Sequence, residues 1–181
     1  RPLGLRLLRH KNGLNLGGGG CSEPRSCHCT PAWAKDQGIT MYQLLQNIYV
    51  QYGFSKEKGI SVVKKGKSGA EEIEAMMKHF RENPLQEIAG SKVTLFHDYA
   101  SLKGKDYVEN ETLTLDMPTT SNVLQYFTED GTKVSIRPSG TEPKIKFYCE
   151  VHSKVKSIDE LPEAEKAAEE KINQIKASLG I

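Results

Sequence analysis

The sequence predicts an α+β fold, an antiparallel sheet with helices packed on one face. Three observations carry this expectation. Lys133–Arg137 (KVSIR) and Lys144–Val151 (KIKFYCEV) alternate polar and apolar residues, the period of a strand with one buried face. Asp130-Gly131, just before the first of them, is a hairpin-turn dipeptide. Apolar residues also recur at helical spacing in three separate segments, two before these strands and one after. Strand, helix, several antiparallel strands and a closing helix make a two-layer domain.

In order along the chain, Thr40 is placed to cap a helix in which Tyr42, Leu45, Ile48, Tyr49 and Tyr52 fall near one face, with Gly53 as its stop. Lys58–Lys65 (KGISVVKK) reads as a short strand. Ser68 and Glu71 have capping-box spacing and open a second helix, whose Ile73, Met76, Met77 and Phe80 recur on one side. That helix must end before Pro84. Lys92–Tyr99 reads as a strand, Leu102–Asn110 as a polar loop, Glu111–Leu115 as a strand, and Ser121–Phe127 as a short helix or turn. Ser157 and Glu160 form a second capping-box pattern ahead of a charged amphipathic helix, Leu161–Leu179, stopped by Gly180.

The bulk numbers exclude some functions. A net charge of +2 over 181 residues gives no general attraction to nucleic acid, although a local basic patch remains open. No stretch reaches the roughly 20 apolar residues of a membrane helix. Arg1–Leu8 lacks the apolar core and small-residue cleavage site of a signal peptide. Three of the four cysteines crowd at Cys21, Cys27 and Cys29, which is no disulfide framework. A cytoplasmic protein is expected. Leu14–Pro31, with four consecutive glycines, cannot bury enough apolar surface to offset its ordering entropy. Residues 1–32 are therefore expected to be a flexible or non-native tail.

The segment richest in chemistry is Arg137-Pro-Ser-Gly-Thr-Glu-Pro-Lys-Ile-Lys146, a turn between the two alternating strands. Arg137 offers forked donors that match phosphate geometry. Ser139 and Thr141 offer hydroxyls. Gly140 lets the backbone approach an anion closely and can adopt positive φ. Successive amides in such a turn form a donor nest, which Pro138 and Pro143 stiffen. Lys146 can bring a second positive charge back over the site. The competing reading is an ordinary Pro/Gly turn with a solvated arginine; the concentration of basic, hydroxyl and glycine residues on one rigid turn favours anion binding.

Thr120–Tyr148 (TSNVLQYFTEDGTKVSIRPSGTEPKIKFY) resembles the C-terminal domain of the α-D-phosphohexomutases, the family of phosphoglucomutase and phosphomannomutase. The RPSGTEPK core carries the likeness most specifically, and it extends more loosely from about Trp33 to the end. The resemblance implies an antiparallel sheet flanked by helices, and a loop that grips the sugar's non-transferring phosphate. It implies Arg137, Ser139, Gly140, Thr141 and Lys146 as substrate phosphate ligands. The parent reaction would interconvert hexose 1-phosphate and hexose 6-phosphate through the 1,6-bisphosphate, with magnesium as the parent's cofactor. It also divides the chain: residues 33–53 as a helix from the preceding domain, 54–181 as the phosphate-binding domain, and Gly53–Lys58 as a hinge. The family's phosphoserine motif, its D-G-D-x-D-R magnesium loop and its sugar-reading loop do not occur here. The chain is therefore expected to hold no catalytic residue, metal site or cofactor, and to lack mutase activity by itself.

Other motifs weigh less. Ser61–Ser68 nearly matches a nucleotide P-loop, but Ser61 replaces the first glycine and no strand with a terminal Asp follows to hold magnesium. Cys27-His28-Cys29, with Cys21 nearby, lacks the second pair of a zinc site. His79 and His97 read as solvated or structural. The rival functional class is a nucleic-acid-binding α+β module using Lys133, Arg137, Lys144 and Lys146, for which aromatics exposed for base stacking are not evident.

Overall fold

The computed structural model describes residues 38–64, 66 and 68–181. The expected tail and the cysteine cluster lie outside the described residues. The elements are α1 (Met41–Tyr52), β1 (Phe54–Val63), α2 (Ser68–Glu82), β2 (Glu87–Ile88), β3 (Ser91–Asp98), β4 (Lys103–Asp106), β5 (Glu111–Thr114), β6 (Leu124–Thr128), β7 (Lys133–Pro138), β8 (Lys144–Ser153), a 3₁₀ turn (Ile158–Glu160) and α3 (Leu161–Leu179). The strands form one antiparallel sheet in the order β1-β8-β7-β6-β3-β4-β5, with β2 appended to β3.

One face of this sheet makes the core. Leu124 and Tyr126 from β6, Val134 and Ile136 from β7, and Ile145, Phe147 and Cys149 from β8 are fully buried. Across them α2 lays Ile73, Met77 and Phe80, and α3 lays Ala168, Ile172, Ile175 and Leu179. Each fully buried aliphatic or aromatic side chain contributes about 1.5–3 kcal/mol by leaving water. α2 rests on β7 and β8, and α3 on β8 and β1, so both helices share one face as expected. Phe80 of α2 meets Phe147 of β8 edge to face at 6.1 Å. The Tyr126 hydroxyl donates to the Phe80 carbonyl at 2.7 Å, satisfying a carbonyl at the end of α2.

Several expectations change. Residues 103–106, read within a loop, form β4 because β3 and β5 supply ladder partners on both sides; Lys-Gly-Lys-Asp has little strand propensity of its own. Residues 124–128 are the central strand β6, not a helix or turn. Leu124, Tyr126 and Thr128 are buried and alternate with Gln125 and Phe127, the period of a strand. The strand read at Lys58 begins at Phe54, so the stretch read as a hinge lies mostly inside β1, paired with β8 through Phe54↔Ser153 and Lys58↔Cys149.

The capping boxes divide. Thr40 accepts from the Gln43 amide at 3.1 Å, and the Gln43 side chain accepts from the Thr40 amide at 2.9 Å. Ser68 is instead the first helical residue, and among the described residues no bond joins it to Glu71. Ser157 makes no capping bond; Glu160 reaches back to the Lys156 amide at 2.8 Å. α3 ends as read, with Gly180 in the left-handed conformation at φ 69°.

Candidate functional site

The β7–β8 hairpin builds the site. Its first strand ends at Pro138, which has no amide to offer a ladder, and its second begins at Lys144. The linking residues are pinned by the Ser139 amide on the Lys144 carbonyl at 2.8 Å and the Lys144 amide on the Glu142 carbonyl at 2.7 Å. The Lys64 amide donates to the Pro143 carbonyl at 2.9 Å, tying the loop to the end of β1. The Ser139 amide is thereby engaged. The amides of Gly140, Thr141 and Glu142 have no acceptor among the described residues, which leaves three successive donors on the loop. Gly140 does not use the positive φ open to it. A Cβ there would meet nothing within 4 Å, so this glycine keeps the loop surface bare.

Arg137 and Lys146 are register partners on neighbouring strands. They project from the sheet face opposite the helices, since Ile136 and Ile145 beside them point into the core. Every other lysine on this face of the hairpin has an acidic partner. Lys133 pairs with Glu150, and Lys144 with Glu142. Hydrogen bonding to the Lys144 ammonium, then its charge and that of Lys146, holds the Glu142 carboxyl below its ordinary value. That pairing draws the loop's one carboxylate toward Lys144. Arg137 and Lys146 form no ion pair or side-chain hydrogen bond among the described residues.

Ser139, Gly140, Thr141, Glu142 and Pro143 line one wall of an open cleft of about 660 Å³, together with Pro138. Ala70, Ile73, Glu74 and Met77 from α2 and Asn122 line the other wall. Asn122 is held by Arg81, whose Nη2 donates to Asn122 Oδ1 at 2.8 Å and whose Nε donates to the buried Asp98 at 3.1 Å. The structure thus brings Arg137 and Lys146 together on the open sheet face. It sets Ser139, Gly140 and Thr141 on the adjoining loop, at the mouth of a cleft that neither cation lines.

The sequence reading missed the rest of this face. Gln125, Ser135 and Tyr148 occupy one cross-strand row beside the Arg137–Lys146 row. The available signal was alternation: Ser135 lies two residues before Arg137, and Tyr148 two after Lys146. The P-loop-like segment is in part an antiparallel edge strand, Ser61–Val63, paired with β8. His97 lies on the open face against Phe127 and Tyr99, and burial lowers its pKa, favouring the neutral ring. Among the described residues no three His, Cys, Asp or Glu side chains gather to hold a metal. No described helix is long and apolar enough to cross a membrane.

Comparison with known proteins places this hairpin in a family. The chain is 35% identical over 124 residues to a phosphoglucomutase of Staphylococcus saprophyticus, covering 68% of this chain and 22% of that protein. It is 39% identical over 111 residues to a phosphoglucomutase of Staphylococcus aureus strain MRSA252, covering 61% and 20%. The chain thus spans about a fifth of the length of these relatives. A crystal structure of parafusin, a phosphoglucomutase from Paramecium in its open form, aligns with 77% of this chain and 24% of its own at 16% identity and a TM-score of 0.37. The two staphylococcal matches lend no support to the nucleic-acid alternative. Residues 61–168, which run from the end of β1 through the cation pair and into α3, match the profile of the phosphoglucomutase/phosphomannomutase C-terminal domain, and the chain belongs to that family.

Proposed function

We propose that this chain is the phosphate-gripping C-terminal domain of a phosphohexomutase, and that Arg137, Ser139, Gly140, Thr141 and Lys146 hold the phosphate of a hexose phosphate. The observation that carries this is the cation pair. Like charges set opposite each other across a ladder destabilise the sheet. On a hairpin whose other lysines are neutralised by glutamates, Arg137 and Lys146 lack such partners among the described residues. A dianionic phosphate between them converts the repulsion into two charge-assisted contacts. The free amides of Gly140 and Thr141 and the loop hydroxyls, on the turn that joins the two strands, would supply donors for its remaining oxygens.

The parent enzyme would interconvert hexose 1-phosphate and hexose 6-phosphate through the 1,6-bisphosphate, in the cytoplasm. This domain positions the ester that stays bound; it does not break the one that moves. Magnesium would belong to the rest of the parent enzyme, since the acidic loop by which the family binds it does not occur in this sequence. We place the domain at 54–181, with 33–53 belonging to the preceding one. α1 exposes much of Tyr42 and Tyr52 and buries no residue of its own, which suits that division.

Calorimetry with methyl phosphate tests the site. Arg137→Ala should abolish measurable binding; unchanged affinity would remove the assignment. A coupled assay with glucose 1-phosphate should give no turnover above background for the chain alone.

A further inference from the structure

We propose that Ser135 and Tyr148 form a sugar-binding strip on the open sheet face, so that this domain recognises the carbohydrate as well as its phosphate. The inference rests on the phosphate reading of Arg137 and Lys146. Ser135 and Tyr148 are the next register pair on the same face, two residues along each strand and so about 7 Å away. An ester-linked pyranose whose phosphate sits at Arg137 and Lys146 extends over this row when it lies along the strands.

The row is built for such a ring. The Tyr148 side chain packs over Gly59 of β1, where an added Cβ would stand 3.7 Å from Cε1 and 3.8 Å from Cδ1. The absence of a side chain on Gly59 leaves room for this half-buried ring against the β1 backbone, and the π face of such a ring suits the polarised C–H groups of a sugar. Ser135 is oriented by a directional relay. The Tyr99 hydroxyl donates to Gln125 Oε1 at 2.8 Å, and Gln125 Nε2 donates to Ser135 Oγ at 3.0 Å. His97 Nδ1 lies 3.4 Å from the Tyr99 hydroxyl at the start of the relay. Ser135 Oγ is therefore already an acceptor, and its own hydrogen has no acceptor among the described residues. The relay ends in a donor beside two cations, suited to a sugar hydroxyl or the bridging ester oxygen.

The test is an NMR titration of the full chain with methyl phosphate and with glucose 1-phosphate, which share the ester and differ in the ring. The wild type should bind glucose 1-phosphate about 5–10-fold tighter. Ser135→Ala and Tyr148→Leu should each weaken glucose 1-phosphate about 3–10-fold and leave methyl phosphate within 2-fold, the size expected from one hydrogen bond or one ring contact. Tyr148→Phe, which keeps the ring, should behave as wild type. Equal affinity for the two ligands, or an unchanged ratio in both Ser135→Ala and Tyr148→Leu, overturns the strip while leaving the phosphate site standing, provided Arg137→Ala still loses methyl phosphate. If Arg137→Ala loses nothing, the phosphate reading falls and takes the strip with it.

Discussion

Arg137 and Lys146 face each other across the β7–β8 ladder, and neither has an acidic partner among the described residues. Two further lysines of the same hairpin do, Lys133 with Glu150 and Lys144 with Glu142. The contrast gives the pair an energetic signature. In the absence of anion it opposes folding, and a bound anion reverses the sign.

Lys146→Gln should therefore stabilise the unliganded chain by about 0.2–1 kcal/mol, the cost of like charges set opposite on a sheet. Added phosphate ester at ten times its Kd should raise wild-type stability by about 1.4 kcal/mol through linkage, and should stabilise the variant much less. Urea unfolding with and without methyl phosphate measures both. Equal stabilisation of the two proteins would place the anion elsewhere.

Much of this geometry is legible in the amino-acid order itself. The boundaries of α3 follow from helical spacing ended by Gly180, and the starts of β7 and β8 from alternation about a short turn, although the strands run on to Pro138 and Ser153, past the expected Arg137 and Val151. What stays hidden depends on partners distant in sequence. Lys-Gly-Lys-Asp becomes β4 only because β3 and β5 flank it. Leu124, Tyr126 and Thr128 do carry a strand period, but a segment this short suits a turn equally well. The cleft wall from α2 and Asn122, and the row through Ser135 and Gln125, exist only once strands pair in register.

Asp130, in the turn joining β6 to β7, gives a pH signature. Burial alone would push its carboxyl up. The Lys171 ammonium, the Thr128 hydroxyl and the Thr132 backbone amide bond to it and outweigh that effect, holding it well below the ordinary value of 3.8. A carboxyl lowered in the folded state contributes stability that is present above its unfolded value and lost as pH falls through its folded value. The stability gap between wild type and Asp130→Asn should be constant above about pH 5 and shrink as pH drops below about 4. Because the side chain is about a third exposed, its contribution is screened and the gap is modest. Urea midpoints of both proteins across the acid range up to neutrality check this. A gap that widens on acidification would contradict the arrangement.

Cys149 lies in the core on β8 and is fully buried. Burial pushes its thiol up to about 11, with the Lys176 charge opposing only in part. Thiolate, not thiol, is the nucleophile. Treatment with iodoacetamide at about pH 8, followed by peptide mass spectrometry, should leave the Cys149 peptide unmodified in the folded chain. Modification should appear once urea unfolds it. Rapid labelling under native conditions would mean that β8 opens locally.

Two glycines near the site should respond oppositely to alanine. Gly69, in the first turn of α2, is buried, and a Cβ there would stand 2.5 Å from the Lys64 carbonyl oxygen and 2.8 Å from its carbon. These are backbone atoms just past the end of β1, and the Lys64 amide also holds Pro143 of the β7–β8 loop. They cannot swing aside as a side chain would, so α2 must shift away from the sheet. Gly69→Ala should cost about 1–3 kcal/mol and loosen the cleft wall. Gly140 has open space where its Cβ would go and lacks positive φ. Gly140→Ala should leave folding stability unchanged or raise it by up to about 1 kcal/mol, by restricting the unfolded chain. Its methyl group would nonetheless stand on the bare loop surface that an anion must approach. Methyl phosphate affinity should fall several-fold in Gly140→Ala. In Gly69→Ala the loss of stability should dominate. Urea unfolding paired with calorimetry separates the two. If Gly140→Ala bound methyl phosphate as well as wild type, the loop amides would not be ligands, and the anion would rest on Arg137 and Lys146 alone.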